Sequence, residues 1–431
     1  MSRTRKSILA IALGALGLAA GYGAWRSLSV GPGFALDDPS LVAQLTDLGY
    51  VDWVDIAGDS STPRGVTLHD PTRAYPGLNL YCSHARSGAE LVDMRGNVVH
   101  RWRVPGVDVH WEHVEMTPEG ELLVIVKAKA GPFLMSLDWE SNVTWKRSLA
   151  AHHDIALTGT GEIHTLTSRL IEIPFRDRKL PIIDNSIVSL SPRAGVTQEI
   201  SLFELFGDRI SSGRLAKVYE QTGRLESRIL RLFGRIELKP DRMDLLHANS
   251  IQILDRRVEG LGAPGDVLIS IRELDLIAVV DPVRRAVVWT WGPGEIQRPH
   301  HPTLLDDGNL LIFDNGSMRK YSRVIELDPR SRLITWQYVA EPRSDFFSHQ
   351  KGAAEKLPNG NVLITESLAG RVFEVTRDGE RVWEFYNPDI DEKKRKRAEI
   401  YRMTRLETSF VEGVRARAGL GAVGRQPRPS R

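Results

Sequence analysis

The fold of this chain is predicted by one stretch, Arg298-Pro299-His300-His301-Pro302-Thr303-Leu304-Leu305-Asp306-Asp307-Gly308-Asn309-Leu310-Leu311-Ile312-Phe313-Asp314-Asn315-Gly316. Its centre, Asp307-Gly308-Asn309, separates two apolar runs, and Asp-Gly supplies the positive φ that a tight hairpin turn needs. A near-continuous apolar run is typical of a strand that is buried on both faces. The stretch therefore predicts a buried hairpin, with His300 and His301 at the start of its first strand.

The same pattern occurs six times along the chain. The key turn glycines, mostly 41 to 52 residues apart, are Gly77, Gly120, Gly161, Gly265, Gly308 and Gly360. A third apolar run follows each copy, and the fourth run usually carries tryptophan, at Trp102, Trp145, Trp289 with Trp291, Trp336 and Trp383. Four short strands per unit of this length are typical of a β-propeller. Six units therefore predict an all-β, six-bladed β-propeller, in which the tryptophans pack between neighbouring blades.

Segments outside the repeat complete the predicted organisation. Residues 1–26 combine a basic start, with Arg3, Arg5 and Lys6, and an uncharged stretch that is typical of a signal anchor or transmembrane helix. Residues 27–75 form a spacer or packing segment, residues 76–390 the propeller, and residues 391–431 a basic C-terminal helix with a disordered tail. The 104 residues between Gly161 and Gly265 leave room for a helical insertion at about residues 201–240.

Charge and cysteine content exclude some classes of protein. The formal net charge of +2 over 431 residues gives no sign of nucleic-acid binding. Cys82 is the single cysteine, so the chain has no internal disulfide. The basic flank of residues 1–26 stays in the cytoplasm, which predicts an inner-membrane anchor with the propeller in the periplasm.

Histidines are concentrated where the innermost strand of each predicted blade begins. Eight of the twelve lie at such positions: His110, His113, His152, His153, His247, His300, His301 and His349. A second set of polar residues follows each key glycine by seven positions: His84, Lys127, Ser168, Arg272, Asn315 and Ser367. Arg272 ends an otherwise apolar run, so its charge needs a partner or an anionic ligand. Convergent histidines with a guanidinium suit an anion such as sulfate, phosphate or carboxylate, and neutral histidine is also a nucleophile.

Three motifs resemble the bacterial arylsulfate sulfotransferases over residues 77–387: His153-Asp154, His247-Ala248-Asn249-Ser250-Ile251 with the downstream Arg272, and His301 with the stretch through Phe313-Asp314-Asn315-Gly316. The resemblance implies a six-bladed propeller that transfers a sulfuryl group from an aryl sulfate to a phenol. It implies no nucleotide sulfate donor and no cofactor or metal.

The resemblance also assigns residues. His301 matches the histidine that becomes transiently sulfated, and His153, His247 and Arg272 match residues that bind the sulfuryl group and handle the phenolic proton. The remaining candidates for substrate binding are His113, His152, His300, Asn249, Asn315 and His349. The doublets His152-His153 and His300-His301 leave open which member acts.

Two other functions fit the same pattern. Three or more histidines, with Asp154 and Glu112 nearby, suit Zn²⁺, Mn²⁺ or Fe²⁺ in a metal-dependent lyase or hydrolase. A membrane-anchored binding propeller without catalysis is the third hypothesis. Measurement of bound metal and of turnover separates the three.

Overall fold

The computed structural model describes residues 53–56, 62–104, 110–128, 131–223 and 243–419, which belong to one compact unit, residues 43–431. The predicted anchor at residues 1–26, most of the predicted spacer, the second half of the predicted insertion and the tail from residue 420 lie outside these ranges. No helix within them is long and apolar enough to cross a membrane.

Antiparallel strands dominate the described chain, so the all-β prediction is confirmed. The first strands are β1 (Trp53–Asp55), β2 (Gly65–His69), β3 (Leu78–Ser83), β4 (Ala89–Val92) and β5 (Val98–Trp102). Sixteen strands follow: β6 (His110–Met116), β7 (Leu122–Lys127), β8 (Phe133–Leu137), β9 (Val143–Ser148), β10 (Ala151–Leu157), β11 (Ile163–Phe175), β12 (Arg178–Leu190), β13 (Val196–Ser201), β14 (Ala248–Ile253), β15 (Val267–Ile271), β16 (Leu276–Asp281), β17 (Ala286–Trp291), β18 (His300–Leu304), β19 (Leu310–Asp314), β20 (Arg323–Leu327) and β21 (Ile334–Tyr338). The last are β22 (Ala353–Lys356), β23 (Val362–Glu366), β24 (Arg371–Val375), β25 (Arg381–Tyr386), β26 (Ile390–Asp391), β27 (Lys396–Ala398) and β28 (Ile400–Leu406).

These strands form six sheets of four or five strands within the described ranges. Four sheets use consecutive strands, in the orders β6-β7-β8-β9, β10-β11-β12-β13, β14-β15-β16-β17 and β18-β19-β20-β21. The other two draw on distant parts of the chain, in the orders β28-β3-β4-β5 and β2-β25-β24-β23-β22. A small additional sheet has the order β1-β27-β26. One end strand of each of the six sheets contacts the neighbouring sheets, and we call it the first strand of its sheet. The first strands are β28, β6, β10, β14, β18 and β22, and each contacts the next in this circular order.

The hairpin that the opening stretch predicts is present. Strand β18 pairs with β19 across the turn Leu305–Asn309, and Gly308 adopts a φ of 90°. The Leu305 N–H donates to the Asn309 carbonyl at 2.8 Å, and the Asp307 carboxylate accepts the Asn309 N–H at 3.0 Å. Every residue of β19 is buried, as the apolar run requires.

The tryptophans link neighbouring sheets, as predicted. The indole N–H of Trp289 donates to the Pro329 carbonyl, and that of Trp336 to the Arg377 carbonyl, in each case in the next sheet. The Trp383 indole donates at 3.0 Å to the Met94 carbonyl in the sheet that contains β3–β5. Contacts therefore continue from the last sheet to the first.

The predicted C-terminal helix begins too early. The basic run at residues 393–397 predicts a helix in the segment from residue 391, but residues 396–406 contain β27 and β28, and the helix α3 spans only Thr408–Arg417. Strand β28 pairs with β3 and supplies the inner strand that the first repeat lacks. From Met403 onward, buried and half-buried residues alternate along β28, as expected for a strand with one more tightly packed side.

Two further differences concern the spacer and the insertion. Strand β2 of the predicted spacer is the outer strand beside β25. The described part of the insertion holds two short helices, α1 (Leu202–Phe206) and α2 (Ser212–Gly223). Before the insertion, β11 and β12 form a hairpin whose strands have 13 residues each, longer than the strands of the other sheets.

Candidate functional site

Five of the six first strands have an irregular register at the same level. The interrupted pairs lie at Trp111/His113, His152/Ile155, Ala248/Ser250, His300/Thr303 and Ile400/Met403. The residues within these interruptions are Glu112, His153 and Asp154, Asn249, His301 and Pro302, and Tyr401 and Arg402. A β-bulge re-aims a side chain, and bulges are frequent next to active sites. The irregular register therefore explains why polar residues inside apolar strands point toward the circle of first strands.

Positive φ values accompany three of the candidate histidines. His153, His247 and His301 have φ of 66°, 50° and 47°. Residues other than glycine adopt this conformation at a cost of about 1 kcal/mol or more, and such strain is concentrated at functional sites. This backbone conformation takes the side chains of these histidines out of the alternating pattern of the adjacent strand.

The doublet His300-His301 divides into two different roles. His300 Nδ1 lies 2.7 Å from Asn315 Oδ1, and His300 Nε2 accepts the Lys351 N–H at 3.2 Å. Because Nε2 accepts, Nδ1 carries the proton and donates it to Asn315. Both nitrogens of His300 are therefore occupied, and the imidazole has no lone pair left for a reaction.

His301 keeps one nitrogen for chemistry. Its Nδ1 lies 3.0 Å from the Ala354 carbonyl, closer than the 3.4 Å to the Ala354 N–H, so Nδ1 is the protonated nitrogen that donates. Nε2 is then the nitrogen with the lone pair. Burial, helped by the guanidinium of Arg402, lowers the pKa of His301 to about 3, which keeps the imidazole neutral at neutral pH.

His301 lines a cavity of about 600 Å³, hereafter the His301 cavity. Its walls come from residues of all six first strands, and the apolar lining includes Ile155, Leu157, Ile251, Ile253 and Met403. The polar lining includes Glu115, Gln252, Glu355, Thr365, Arg402 and Thr404. An apolar cavity with a few convergent polar groups is the usual form of a small-molecule site.

Arg402 is a cation that lines this cavity, with 10% of its side chain exposed. Its Nη1 donates at 2.9 Å to Asp154 Oδ1, and within the described ranges this is the one hydrogen bond that its side chain makes. Burial works against ionisation of Asp154, but Arg402 outweighs it and holds the pKa of Asp154 at about 2. The guanidinium has five N–H donors, so most of them remain for a ligand.

Two carboxyl groups of the His301 cavity are poised near neutrality. Burial raises the pKa of Glu115 to about 8, against the opposing charge of Arg402. Burial also raises the pKa of Glu355 to about 7, although its carboxylate accepts the Arg405 N–H at 3.1 Å. Both groups can therefore carry a proton at neutral pH.

The remaining histidines form a second group, hereafter the histidine cluster: His152, His153, His247 and His300 with Glu112, Asp244, Lys127 and Arg272. The ring centroid of His153 lies 5.0 Å from that of His247 and 4.7 Å from that of His152. His153 Nδ1 is 3.3 Å from Glu112 Oε1, and His247 Nδ1 is 2.8 Å from Asp244 Oδ2. The sequence-based prediction that these imidazoles converge from distant strands agrees with this geometry.

Burial governs the protonation of the histidine cluster. It lowers the pKa of His152 to about 3 and that of His153 to about 4. It also holds the pKa of His247 well below the usual range, with Arg272 acting in the same direction. The imidazoles are therefore neutral, while Lys127 and His153 keep Glu112 ionised despite its burial.

Arg272 belongs to the histidine cluster rather than to the His301 cavity. Its Nε and Nη2 donate at 3.0 and 2.9 Å to one oxygen of Glu273. Arg298 and Arg214 also lie within 3.5 Å of the Glu273 carboxylate. Arg272 lowers the pKa values of His247 and His300, whereas the charges that act on His301 are those of Arg402 and Asp154.

His113 connects the two groups. It is buried, and its Nε2 lies 3.6 Å from Asp154 and 3.7 Å from Glu115. Its ring centroid is 5.8 Å from that of Tyr401, which also stacks at 6.0 Å on His153. Burial and Arg402 lower the pKa of His113 to about 3.

Three predicted substrate-binding residues have other surroundings. The Asn315 amide donates to the carbonyls of Ser348 and Lys351 and accepts from His300, so its hydrogen-bonding capacity is used within the fold. His349 is exposed, because the residue that turns inward in this loop is Lys351. Asn249 is buried and donates to the Pro299 carbonyl, while its Oδ1 has no hydrogen-bond partner among the described residues.

Sequence reasoning missed Arg402, Glu115 and Glu355. Arg402 was assigned to a helix, although the absence of an inner strand before Gly77 was a signal that the C-terminal part of the chain supplies it. Glu115 and Glu355 are ordinary polar positions in alternating strands, and only the register identifies the cavity that they face. Across the described ranges, no group of three or more histidine, cysteine, aspartate or glutamate side chains has a geometry that holds a metal ion.

Comparison with known proteins identifies the family. Residues 113–388, more than half of the chain, match the family model described as arylsulfotransferase (ASST). The chain therefore belongs to the arylsulfotransferase family. No curated protein sequence matches it.

Several solved structures are similar at low identity. A protein of unknown function from Bacteroides caccae is 13% identical, with 76% of this chain and 98% of that chain covered and a TM-score of 0.44. A streptogramin B lyase is 12% identical, with 83% and 97% covered and a TM-score of 0.44. Virginiamycin B lyase from Staphylococcus aureus is 12% identical, with 79% and 88% covered and a TM-score of 0.42.

Proposed function

We propose that the chain is a six-bladed propeller enzyme that transfers a sulfuryl group from an aryl sulfate to a phenol through a covalent intermediate on His301. The observation that carries the proposal is the placement of His301: its Nδ1 is held by the Ala354 carbonyl, and its imidazole lines a cavity that also contains Arg402. Membership of the arylsulfotransferase family supports the choice of sulfuryl transfer over other reactions of an anion.

The first half of the reaction uses the lone pair of His301 Nε2. This nitrogen attacks the sulfur of the aryl sulfate, the bond between sulfur and the aryl oxygen breaks, and the phenolate leaves. The imidazole becomes positively charged because Nδ1 keeps its proton. The Ala354 carbonyl and the ionised Asp154 stabilise that charge.

Arg402 stabilises the transferred group. Its unused N–H donors form a planar fork that matches the oxygens of a sulfuryl group. In this proposal Arg402 takes the role that the sequence assigns to Arg272, whose guanidinium is engaged by Glu273. The apolar wall with Ile155, Ile251 and Ile253 holds the aromatic ring of donor and acceptor in turn.

The second half returns the sulfuryl group to an acceptor. The oxygen of a phenol attacks the sulfur, the nitrogen–sulfur bond breaks, and His301 returns to its neutral form. Because the group is carried by the protein between the two halves, the reaction needs no nucleotide sulfate donor. His153 acts as a positioning group through Tyr401, whose ring lies 6.0 Å from that of His153 and 5.8 Å from that of His113 beside the cavity, and His247 supports His153 at a centroid distance of 5.0 Å.

The cellular location is part of the same proposal. The basic start and apolar stretch of residues 1–26 support an inner-membrane anchor with the enzyme on the periplasmic side. Its substrates would then be aryl sulfates and phenols outside the cytoplasm.

A transfer assay tests the function directly. Purified protein is supplied with 4-nitrophenyl sulfate, with and without phenol, and in the absence of any nucleotide. We expect phenol-dependent release of 4-nitrophenolate and formation of phenyl sulfate, both unchanged by a chelator. Turnover that a chelator removes and a divalent metal restores would favour the metal-dependent alternative, and absence of any turnover would favour a binding protein.

A further inference from the structure

The structure assigns proton transfer in this reaction to Glu115: its carboxyl group gives a proton to the departing phenolate oxygen and later takes one from the acceptor phenol. The inference rests on the function proposed above and adds a catalytic residue to it. A phenolate needs a proton before it leaves as a stable product, because phenols have a pKa of about 10.

Position is the first argument. Glu115 lies in β6, three residues after the irregular register at Glu112, and its side chain lines the same cavity as His301 and Arg402. The cavity accounts for the 28% of its side-chain surface that is exposed. A phenolic oxygen that leaves the sulfur bound by His301 and Arg402 departs into the space that Glu115 faces.

Freedom from other contacts is the second argument. Within the described ranges no hydrogen bond holds the Glu115 carboxyl, and its Oε2 lies 3.7 Å from His113 Nε2. Of the two other carboxyls that line the cavity, that of Glu355 is fixed by the Arg405 backbone N–H at 3.1 Å, and that of the exposed Asp255 is paired with Arg256 at 2.9 Å. Glu115 is thus the cavity carboxyl that can turn toward a substrate oxygen without breaking a bond of the fold.

The protonation state is the third argument. Burial, together with the negative charges of Asp154 and Glu355, raises the pKa of Glu115 to about 8, and the charge of Arg402 works against this rise. The histidines nearby, His113 and His301, are neutral because burial and Arg402 lower their pKa values to about 3. A neutral imidazole is a very weak acid, so these histidines cannot protonate a phenolate at neutral pH, whereas the protonated carboxyl of Glu115 can.

The steps balance. In the first half, the sulfur–oxygen bond breaks with its electron pair on the aryl oxygen, which takes the Glu115 proton and leaves as a phenol. Glu115 is then a carboxylate beside the cationic sulfohistidine. In the second half, the acceptor hydroxyl gives its proton to Glu115 as its oxygen bonds to sulfur, and the nitrogen–sulfur electron pair returns to His301. Both groups end in their starting states.

The test compares Glu115→Gln with Glu355→Gln on two donors. Glutamine matches the shape of protonated glutamate and keeps a donor N–H, but it cannot transfer a proton. The donors are phenyl sulfate, whose leaving group is strongly basic, and 4-nitrophenyl sulfate, whose leaving group is stabilised and needs no proton. The readouts are kcat/KM for each donor and the sulfuryl label on His301 after brief exposure to 4-nitrophenyl sulfate.

For Glu115→Gln we expect kcat/KM for phenyl sulfate to fall about 100-fold and that for 4-nitrophenyl sulfate to fall about threefold or less. The His301 label should still form. Glu355→Gln, which removes a carboxyl from the same cavity, should change the two donors equally. If the role of Glu115 were purely structural, Glu115→Gln would lower kcat/KM equally for both donors.

The outcomes separate the two proposals. If His301 is labelled in the parent protein and in Glu115→Gln, but the ratio between the donors stays the same, the role of Glu115 is wrong and the proposed function stands. If the parent protein is never labelled and turns over neither donor, the proposed function is wrong and the role of Glu115 falls with it. If the ratio of kcat/KM between the two donors changes as much in Glu355→Gln as in Glu115→Gln, the assignment of proton transfer to Glu115 is wrong.

Discussion

The His301 cavity is lined by all six first strands, whereas the histidine cluster takes its residues from β6, β7, β10 and β18 and from the segments beside β14 and β15, and the two also differ in how their polar groups are paired. In the histidine cluster, carboxylates already face the imidazoles and cations: Glu112 lies 3.0 Å from Lys127, and Asp244 lies 2.8 Å from His247. In the His301 cavity, Arg402 has one partner and Glu115 none by hydrogen bonding. The residue count favours the histidine cluster, where both ring nitrogens of His152 also have no hydrogen-bond partner among the described residues, whereas the open space and the remaining N–H donors of Arg402 favour the cavity.

Charge gives the same result. An aryl sulfate is an anion, and the ionised Glu112 would repel it from the histidine cluster. In the His301 cavity the carboxyls of Glu115 and Glu355 are protonated in part at neutral pH, and the fixed cation is Arg402. The comparison teaches that a convergent set of histidines can serve to support a site that lies beside it.

The largest effect should come from His301→Ala. Loss of the nucleophile removes the covalent step, so transfer from 4-nitrophenyl sulfate to phenol should fall by at least about 1,000-fold. His349→Ala is the matched control, because His349 is exposed and should retain activity close to that of the parent protein. Normal turnover by His301→Ala would mean that the reacting group lies in the histidine cluster.

The next largest effect on activity should distinguish Arg402 from Arg272. Arg402→Lys replaces the planar fork by a point charge in the His301 cavity, and kcat/KM for an aryl sulfate should fall about 100-fold. Arg272→Lys alters a guanidinium that is engaged by Glu273, and we expect a loss of about fivefold or less. Steady-state kinetics of both variants decides the matter, and a greater loss in Arg272→Lys would reverse the assignment.

The activity should be insensitive to acid but sensitive to base when the leaving group needs a proton. Because the pKa of His301 is lowered to about 3, the imidazole stays neutral and kcat/KM for 4-nitrophenyl sulfate should not fall between pH 7 and pH 5. A histidine with an ordinary pKa of about 6.5 would lose roughly 30-fold over that range. With phenyl sulfate the rate should fall as pH rises through about 8, where Glu115 loses its proton.

Several neighbouring groups influence the pH at which the rate with phenyl sulfate falls. Asp154, Glu355, His113, His301 and Arg402 all face Glu115 or share its cavity. Ionisation of Glu355, whose pKa is about 7, adds negative charge and acts in the same direction as that of Glu115. A fall in rate below pH 6.5 with 4-nitrophenyl sulfate would contradict a buried, neutral His301.

The smallest effect on catalysis should come from Asn315→Ala. This change removes two hydrogen bonds to the carbonyls of Ser348 and Lys351 and one from His300, so the free energy of unfolding should fall by about 3 kcal/mol. The folded protein should keep its kcat within about threefold, because Asn315 does not line the cavity. Denaturant unfolding and kinetics measured side by side check this, and a selective rise in KM with unchanged stability would restore Asn315 as a substrate-binding residue.

Much of the sheet structure was predictable from local sequence. The Asp307-Gly308 turn and its five relatives fix the second strand of every sheet, and the fourth-strand tryptophans fix the contacts between sheets. The inner strand β28 was not predictable in the same way, because its partner β3 lies more than 300 residues away. The basic residues 393–397 suggested a helix, but pairing with β1 and β3 outweighs local propensity.

The site was predictable as a set of histidines but not as a geometry. The sequence cannot separate His300 from His301, because one residue of register in an irregular strand decides which imidazole is fixed to Asn315 and which lines the cavity. Arg402 was hidden by the wrong assignment of its strand. Glu115 was hidden because a glutamate in an alternating strand is ordinary until its cavity is known.

The central claim is that His301 carries the sulfuryl group. Intact-mass measurement after brief exposure to 4-nitrophenyl sulfate without acceptor, followed by peptide mapping, tests it most directly. We predict the gain of one sulfuryl group, located on the peptide that contains His301, absent from His301→Ala, and removed when phenol is added. A label on a peptide that contains His153 or His247, or turnover without any label, would contradict the claim.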